Sequence, residues 1–189
     1  MNRLIQVVIF SVLMSPIVNA QVVFIDYSRL VNNEGILPNT QSIGFEFGWK
    51  YKKMIFSGFI SSASSEEFKD KLDSLNYVFS TNILAYGIVA SRQIELNDFL
   101  NWQIGVGLQR QNNAVYFSGN FIGSSNIKSW DALINSGFEC KLIDELRLRL
   151  LATYSYRFSF TELASRETTL NHRRSNLMIG AGVGYFFKN

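Results

Sequence analysis

The chain of 189 residues contains one cysteine, one histidine and two prolines. Cys140 therefore has no partner for an internal disulfide, and His172 alone cannot build a multi-histidine metal site. Beyond Met14, no apolar run approaches the ~18 residues that a membrane helix needs. A mean hydropathy of +0.06 is also too polar for a bundle of such helices. The sequence has no like-charge block, no Pro/Ser-rich linker and no helical or solenoid repeat. Its formal charge of +3 comes from scattered basic residues, which argues against a nucleic-acid partner. No residue pattern calls for a cofactor or a metal.

What the chain does have is alternation. In "LRLRLLATYSYRFSF" (146–160), Leu146, Leu148, Leu150, Ala152, Tyr154, Tyr156, Phe158 and Phe160 form one series. Arg147, Arg149, Leu151, Thr153, Ser155, Arg157 and Ser159 form the other. Side chains of a strand point to opposite faces with period two, so this is a strand. Its length far exceeds the roughly five or six residues of an ordinary one.

The first twenty residues, "MNRLIQVVIFSVLMSPIVNA", read as a secretory signal peptide. Arg3 precedes an apolar run from Leu4 to Met14, then Pro16, and Val18-Asn19-Ala20 closes the segment with the compact residues a signal peptidase reads. That run is too short to span a bilayer. No cysteine follows the cleavage site, which argues against a lipid anchor. The expected division is 1–20 signal peptide and 21–189 a single β-domain.

Alternating segments follow near 21–30, 41–49, 53–62, 76–91, 98–111, 128–142, 146–160 and 175–187. The connections between them alternate long and short. Long ones fall near 31–40, 63–75, 112–127 and 161–174, and short ones at "KYKK" (50–53), "RQIELND" (92–98) and "IDE" (143–145). An up-and-down barrel with all its long loops at one end produces this rhythm, and a soluble sandwich has no reason to. The predicted fold is all-β: an eight-stranded antiparallel transmembrane barrel with short periplasmic turns and four longer extracellular loops.

The faces agree. Ile43, Phe45, Phe47 and Trp49 oppose Gly44, Glu46 and Gly48; Leu100, Trp102, Ile104, Val106 and Leu108 oppose Asn101, Gln103, Gly105, Gly107 and Gln109. Trp130, Ala132, Ile134, Phe138 and Leu142 oppose Asp131, Asn135, Gly137, Glu139 and Lys141. In the last segment Leu177, Ile179, Ala181, Val183, Tyr185 and Phe187 oppose Asn176, Met178, Gly180, Gly182 and Gly184. The apolar sets are expected to face lipid and the polar or glycine sets a narrow interior. For the third and fourth strands either face could be outward. Aromatic residues sort to two levels: Trp49, Trp102, Tyr185 and Phe187 lie beside short turns or the last strand's end, whereas Trp130, Tyr156 and Phe158 lie beside long connections. Two interfacial girdles are the expected meaning.

With "NLMIGAGVGYFF" as its closing strand, the region 21–189 resembles the small eight-stranded outer-membrane barrels of the OmpA/OmpX type. The resemblance rests on architecture and not on a diagnostic motif. It implies a bacterial outer-membrane location, with membrane lipid and lipopolysaccharide around the barrel. It also implies that barrel-assembly machinery reads the C-terminal strand. Members commonly end on an aromatic residue, whereas here Lys188 and Asn189 follow Phe187.

Candidate chemistry is sparse. Cys140 falls on the lipid-facing set. "NHRRSN" (171–176) faintly resembles the His/Ser pair of barrel enzymes that deacylate lipid A. His172 and Ser175 are three apart, however, so a continuous strand would turn them to opposite sides, whereas that family's pair has a spacing of two. In "SSEEFKDKLDSL" (64–75), Ser64 and Glu67 match a capping box, with Phe68, Leu72 and Leu75 at helical spacing. A solvated loop with one helical turn on the barrel rim is expected there, the functional alternative being a grip for a surface or host partner. Tyr116, Phe117 and Phe121 offer aromatics in the 112–126 loop, which strands extended beyond the membrane would explain equally well.

The interior charges are the most specific feature. A three-residue turn at 143–145 sets Leu142 opposite Leu146, Lys141 opposite Arg147 and Glu139 opposite Arg149. An eight-stranded barrel is just wide enough for side chains to fill, and buried charges there must be paired. Glu139, Arg147 and Arg149, with Glu46, are therefore expected to form a lumen network that plugs the pore. The rival reading is a charged constriction that conducts small ions. Three functional classes stay open: a non-enzymatic barrel acting through its loops, a narrow channel and a lipid-modifying enzyme.

The alternation alone yields a test. Ile104→Arg should cost about 2–4 kcal/mol by placing a guanidinium near mid-membrane on the lipid face. Gln103→Arg should cost less, because it points into the lumen. Urea titration in lipid vesicles compares the two; the reverse ranking would exchange inside and outside for that strand.

Overall fold

The computed structural model describes residues 20–31, 40–64, 68–72, 75–119, 123–160 and 175–188. All lie in strands or the short segments joining them: β1 (Ala20–Val31), β2 (Gln41–Tyr51), β3 (Met54–Ser64), β4 (Phe68–Leu72), β5 (Leu75–Glu95), β6 (Leu100–Gly119), β7 (Gly123–Lys141), β8 (Leu146–Phe160) and β9 (Ser175–Lys188). Apart from β3 and β4, each pairs antiparallel with its sequence neighbours; β3 pairs instead with β5, and β1 pairs with β9. The sheet is a closed ring.

Nine strands make eight staves. Both β3 and β4 pair with β5, at Ser64↔Asn82 and then Phe68↔Phe79, so β4 continues β3 along the same neighbour. This corrects the helical turn expected within 64–75. Five residues cannot offset the cost of nucleating a helix. The edge of β5 offers the same backbone groups a ready ladder. Ser64 closes β3, while Glu67 lies outside the described residues. Residues 1–19 of the segment 1–20 read as a signal peptide, the connections 32–39 and 161–174 with His172, and Phe121 lie outside them too.

The ladder fixes the barrel's shape. Stepping from Gln21 through its partners leads to Trp49, Phe56, Ala90, Val106, Ile134, Tyr154 and Leu177, and returns to β1 at Val31. Val31 is ten residues beyond Gln21, so the shear of this eight-stave ring is ten. Ten steps of 3.3 Å set against eight strand spacings of 4.8 Å tilt the strands by about 41°. Each residue then climbs roughly 2.5 Å along the axis, so a ~25 Å lipid band occupies about ten residues.

Burial follows the pleat. Ile104 is 40% exposed on the outer surface while its neighbour Gln103, at 3%, faces the lumen. The two undecided staves resolve the same way: Ile55, Ser57, Ala63, Ala85, Val89, Ser91 and Gln93 are buried, and Phe56, Ile60, Leu84, Tyr86 and Ile88 are exposed. Their ambiguity had a cause, since the inward set here contains Ile, Ala and Val, residues that lipid would accept equally well.

Three strands outrun the band. β5, β6 and β7 have 21, 20 and 19 residues against the 12 and 11 of β1 and β2. Most of 112–127, read as a loop, is strand, with Asn113↔Ile127 and Phe117↔Gly123 in register. On β6 the apolar outer face runs from Leu100 to Leu108 and turns polar at Arg110, leaving about ten residues, or roughly 25 Å, above the band.

At the opposite end the turns are tight. Tyr51 pairs with Met54 across Lys52-Lys53, and Lys52 has φ of 54°, the left-handed region that costs a side chain with a Cβ about 1–2 kcal/mol. Lys52→Gly should therefore stabilise the barrel by about 0.5–1 kcal/mol, while Lys53→Gly should destabilise it by a similar amount. Urea unfolding midpoints in vesicles report both.

Candidate functional site: the charged lumen

The lumen begins with an apolar floor at the short-turn end. Val22, Phe24, Ile55 and Phe186 are all buried there, and the rings of Phe24 and Phe186 meet edge to face at 6.0 Å. Phe24 fits because β9 is glycine-rich on its inner face: a Cβ at Gly184 would collide with its ring.

The same glycine face lets a cation reach across a strand. Arg149 on β8 is level with Gly182 on β9, which is level with Asp26 on β1. A Cβ at Gly182 would strike the Asp26 carboxylate. With only hydrogen there, the Arg149 guanidinium passes over β9. Its Nε donates to Asp26 Oδ1 at 2.7 Å and a terminal nitrogen donates to Asp26 Oδ2. That terminal nitrogen also donates to Glu46 Oε2 at 2.5 Å, and the guanidinium lies 3.8 Å over the Phe24 ring. The fork geometry and the flat face of the guanidinium suit this double role in a way that a lysine ammonium would not.

A second group sits beside it. Glu139, with no solvent exposure, is opposite Arg149 in the ladder, yet its carboxylate goes elsewhere. It accepts a hydrogen bond from Gln93 Nε2 at 2.8 Å and lies 3.7 Å from Arg147 Nε. Gln93 Oε1 in turn accepts from Lys50 Nζ at 2.5 Å. Arg147 stacks 5.1 Å from the Phe186 centroid, and Lys141 pairs with Asp144 in the turn at 2.5 Å. So the four residues expected to meet in the lumen do share it, but as two groups: Arg149 with Glu46, and Arg147 with Glu139. Arg149 is drawn away because two carboxylates from β1 and β2 outweigh the single one across the ladder.

Higher in the lumen lies a third group, which the sequence reading did not assemble. Asp131, also without exposure, accepts from Arg157 Nε at 3.3 Å and from Gln109 Nε2 at 3.1 Å. Arg157 also donates to Gln111 Oε1 at 3.2 Å. The signal was present, because the register that sets Glu139 against Arg149 sets Asp131 against Arg157 eight residues further on. Asp26, Lys50 and Gln93 gave no comparable sign. The three groups contain four carboxylates and four cations, so their charges balance.

The aromatic candidates take the other face. Trp49, Trp130, Tyr156, Phe158, Tyr185 and Phe187 are exposed outward, and Trp102 is half-buried there with its Nε1 donating to Ser136 Oγ at 2.9 Å. Cys140 shares the outward parity and is half-buried. Ser175 opens β9, opposite Tyr156. Among the described residues, no three His, Cys, Asp or Glu side chains cluster as metal ligands would.

A closed eight-stave ring, apolar outside and ion-paired inside, defines a small transmembrane β-barrel. No protein-family model matches the chain, and no curated protein matches it in sequence. Among solved structures it is similar to Neisserial surface protein A, with 13% identity, a TM-score of 0.62 and coverage of 89% of this chain and 96% of that one. It is also similar to the N-terminal β-barrel domain of Pseudomonas aeruginosa OprF, with 14% identity, a TM-score of 0.58 and coverage of 89% and 98%. A third is the attachment invasion locus protein Ail of Yersinia pestis, solved with the heparin analogue sucrose octasulfate, with 12% identity, a TM-score of 0.57 and coverage of 89% and 97%. The fold is thus that of the eight-stranded outer-membrane barrels.

Arg149 is the keystone of the lower lumen. Arg149→Met should cost about 3–5 kcal/mol by leaving the buried Glu46 and half-buried Asp26 carboxylates unpaired. Adding Asp26→Asn and Glu46→Gln should recover most of that loss, read by urea unfolding from lipid vesicles.

Proposed function

We propose that the protein is a non-enzymatic barrel of the bacterial outer membrane that acts through the surface it raises outside the cell. The observation that carries this reading is the unequal height of the wall: β6 continues about 25 Å past the apolar band at the end opposite the short turns, with β5 and β7 paired along it. A protein serving only as a membrane filler has no use for a hydrogen-bonded platform there. The lumen groups act as a plug, since their paired side chains and the Phe24/Phe186 floor occupy a bore only wide enough for side chains. Residues 1–20 serve as the export signal, and the β9 segment is the element that assembly machinery reads. The barrel sits among outer-membrane lipid and lipopolysaccharide. The similarity to Neisserial surface protein A and to Ail supports a surface or host-facing role.

Orientation and plugging are tested together in a Cys140→Ser background. Asn126→Cys on the tall wall should react with a membrane-impermeant maleimide in intact cells. Asp98→Cys, in the β5–β6 turn, should react only after the outer membrane is permeabilised. In planar bilayers the protein should show no steady openings. Steady conductance abolished by Gly105→Trp would establish a channel instead, as a Cβ at that position already meets the side chains of Asn135 and Ser91.

A further inference from the structure

Charge is sorted between the two faces of the wall. In the strand residues whose side chains are described, every acid has the inward parity: Asp26, Glu46, Glu95, Asp131 and Glu139. The outward parity carries no acid and four cations, Arg29, Arg92, Arg110 and Lys128. Arg92 lies near the short-turn rim. Arg29, Arg110 and Lys128 lie at the tall rim, where the apolar band ends.

Arg110 has the most developed setting. In the ladder it stands between Tyr86 on β5 and Trp130 on β7, both exposed outward, and its guanidinium lies 5.7 Å from the Trp130 ring centroid. One pair further up, Asn112 faces Lys128, which puts the lysine diagonally across from Arg110. Diagonal partners on one face stand about 7–8 Å apart at the backbone, close enough for two long side chains to hold one anion. Below them are Leu108 and Ile88 on the apolar band, and Leu84 stands beside Asn112. A ligand here must combine acyl chains, which fill the band, with an anion held directly above it.

We infer that the Arg110–Lys128 face of β6 and β7, framed by Tyr86 and Trp130, is a docking site for the phosphates of lipopolysaccharide. The assignment rests on the outer-membrane reading given above. An acidic protein partner is disfavoured by the position, because the pair sits at the acyl boundary and not at the top of the platform. Among the described side chains of these strands no acid faces outward to repel a phosphate, since Glu95, Asp131 and Glu139 have the inward parity. The guanidinium supplies a planar fork for phosphate oxygens while standing within cation–π range of the indole. Lys128 adds a second point charge.

The test uses the full folded chain in detergent micelles, with bisphosphorylated lipid A and enzymatically dephosphorylated lipid A as the two probes, and retained lipid counted by native mass spectrometry. Only material that migrates as the heat-modifiable folded band is compared. The native chain should retain the phosphorylated probe in preference to the other. Each neutralised cation, Arg110→Gln or Lys128→Gln, should weaken that retention about fivefold, the effect of roughly one elementary charge near a lipid surface. Arg110→Lys should keep most of it, and Arg92→Gln, at the far rim, should leave it unchanged. Equal retention of the two probes, or an Arg110→Gln/Lys128→Gln variant that binds like the native chain, overturns the site. The maleimide pattern described above reports separately on whether the barrel is oriented in an outer membrane at all.

Discussion

Hydrocarbon offers no partner to a backbone N–H or C=O, and that constraint shapes everything else in this protein. A sheet in lipid can have no free edge, so β1 must return to β9 through twelve paired residues. Closing eight staves with a shear of ten then fixes tilt and bore together. The narrow bore in turn dictates what the inner face can be. Glycine and serine are needed where a long side chain crosses a neighbouring strand, and charges are tolerated only where an opposite charge meets them.

Arg149 shows how these demands interlock. Its two carboxylates come from β1 and β2, yet it stands on β8, and the chain that separates them carries Gly182 at the crossing point. Phe24 does two jobs in the same place, closing the floor against Phe186 and offering its ring face to the guanidinium. The polar network is thus built against an apolar plug. Neither would fit if Gly182 and Gly184 on the inner face of β9 carried side chains, which explains those two glycines in physical terms.

Much of this was legible in the sequence because period-two alternation is a strong signal when one side meets lipid. The β7–β8 register could be read to the residue, since the turn at 143–145 fixes which side chains stand opposite. Where both faces are apolar the signal fails. Ile55, Val89 and Ala85 point inward, and nothing in their chemistry separates them from Ile60 or Ile88 pointing out. Phe68–Leu72 misled for a related reason: its spacing fits one helical turn, and only the neighbouring β5 ladder decides for strand. Ladder position also does not dictate charge pairing. Glu139 turned to Arg147 because carboxylates two and three strands away compete for Arg149, and such competition has no trace in any single strand.

The seam between β1 and β9 has a consequence for how the wall is made. Every other ladder among the described strands joins neighbours or near neighbours in sequence, whereas this one joins Gln21 to Phe187. Local hairpins can form early and cheaply, but the seam must wait until nearly the whole chain has been arranged. Until it forms, two long edges carry unsatisfied backbone groups that the bilayer interior rejects. Crossing the membrane and completing the circle are therefore a single cooperative event, and a half-inserted barrel has no stable place to pause.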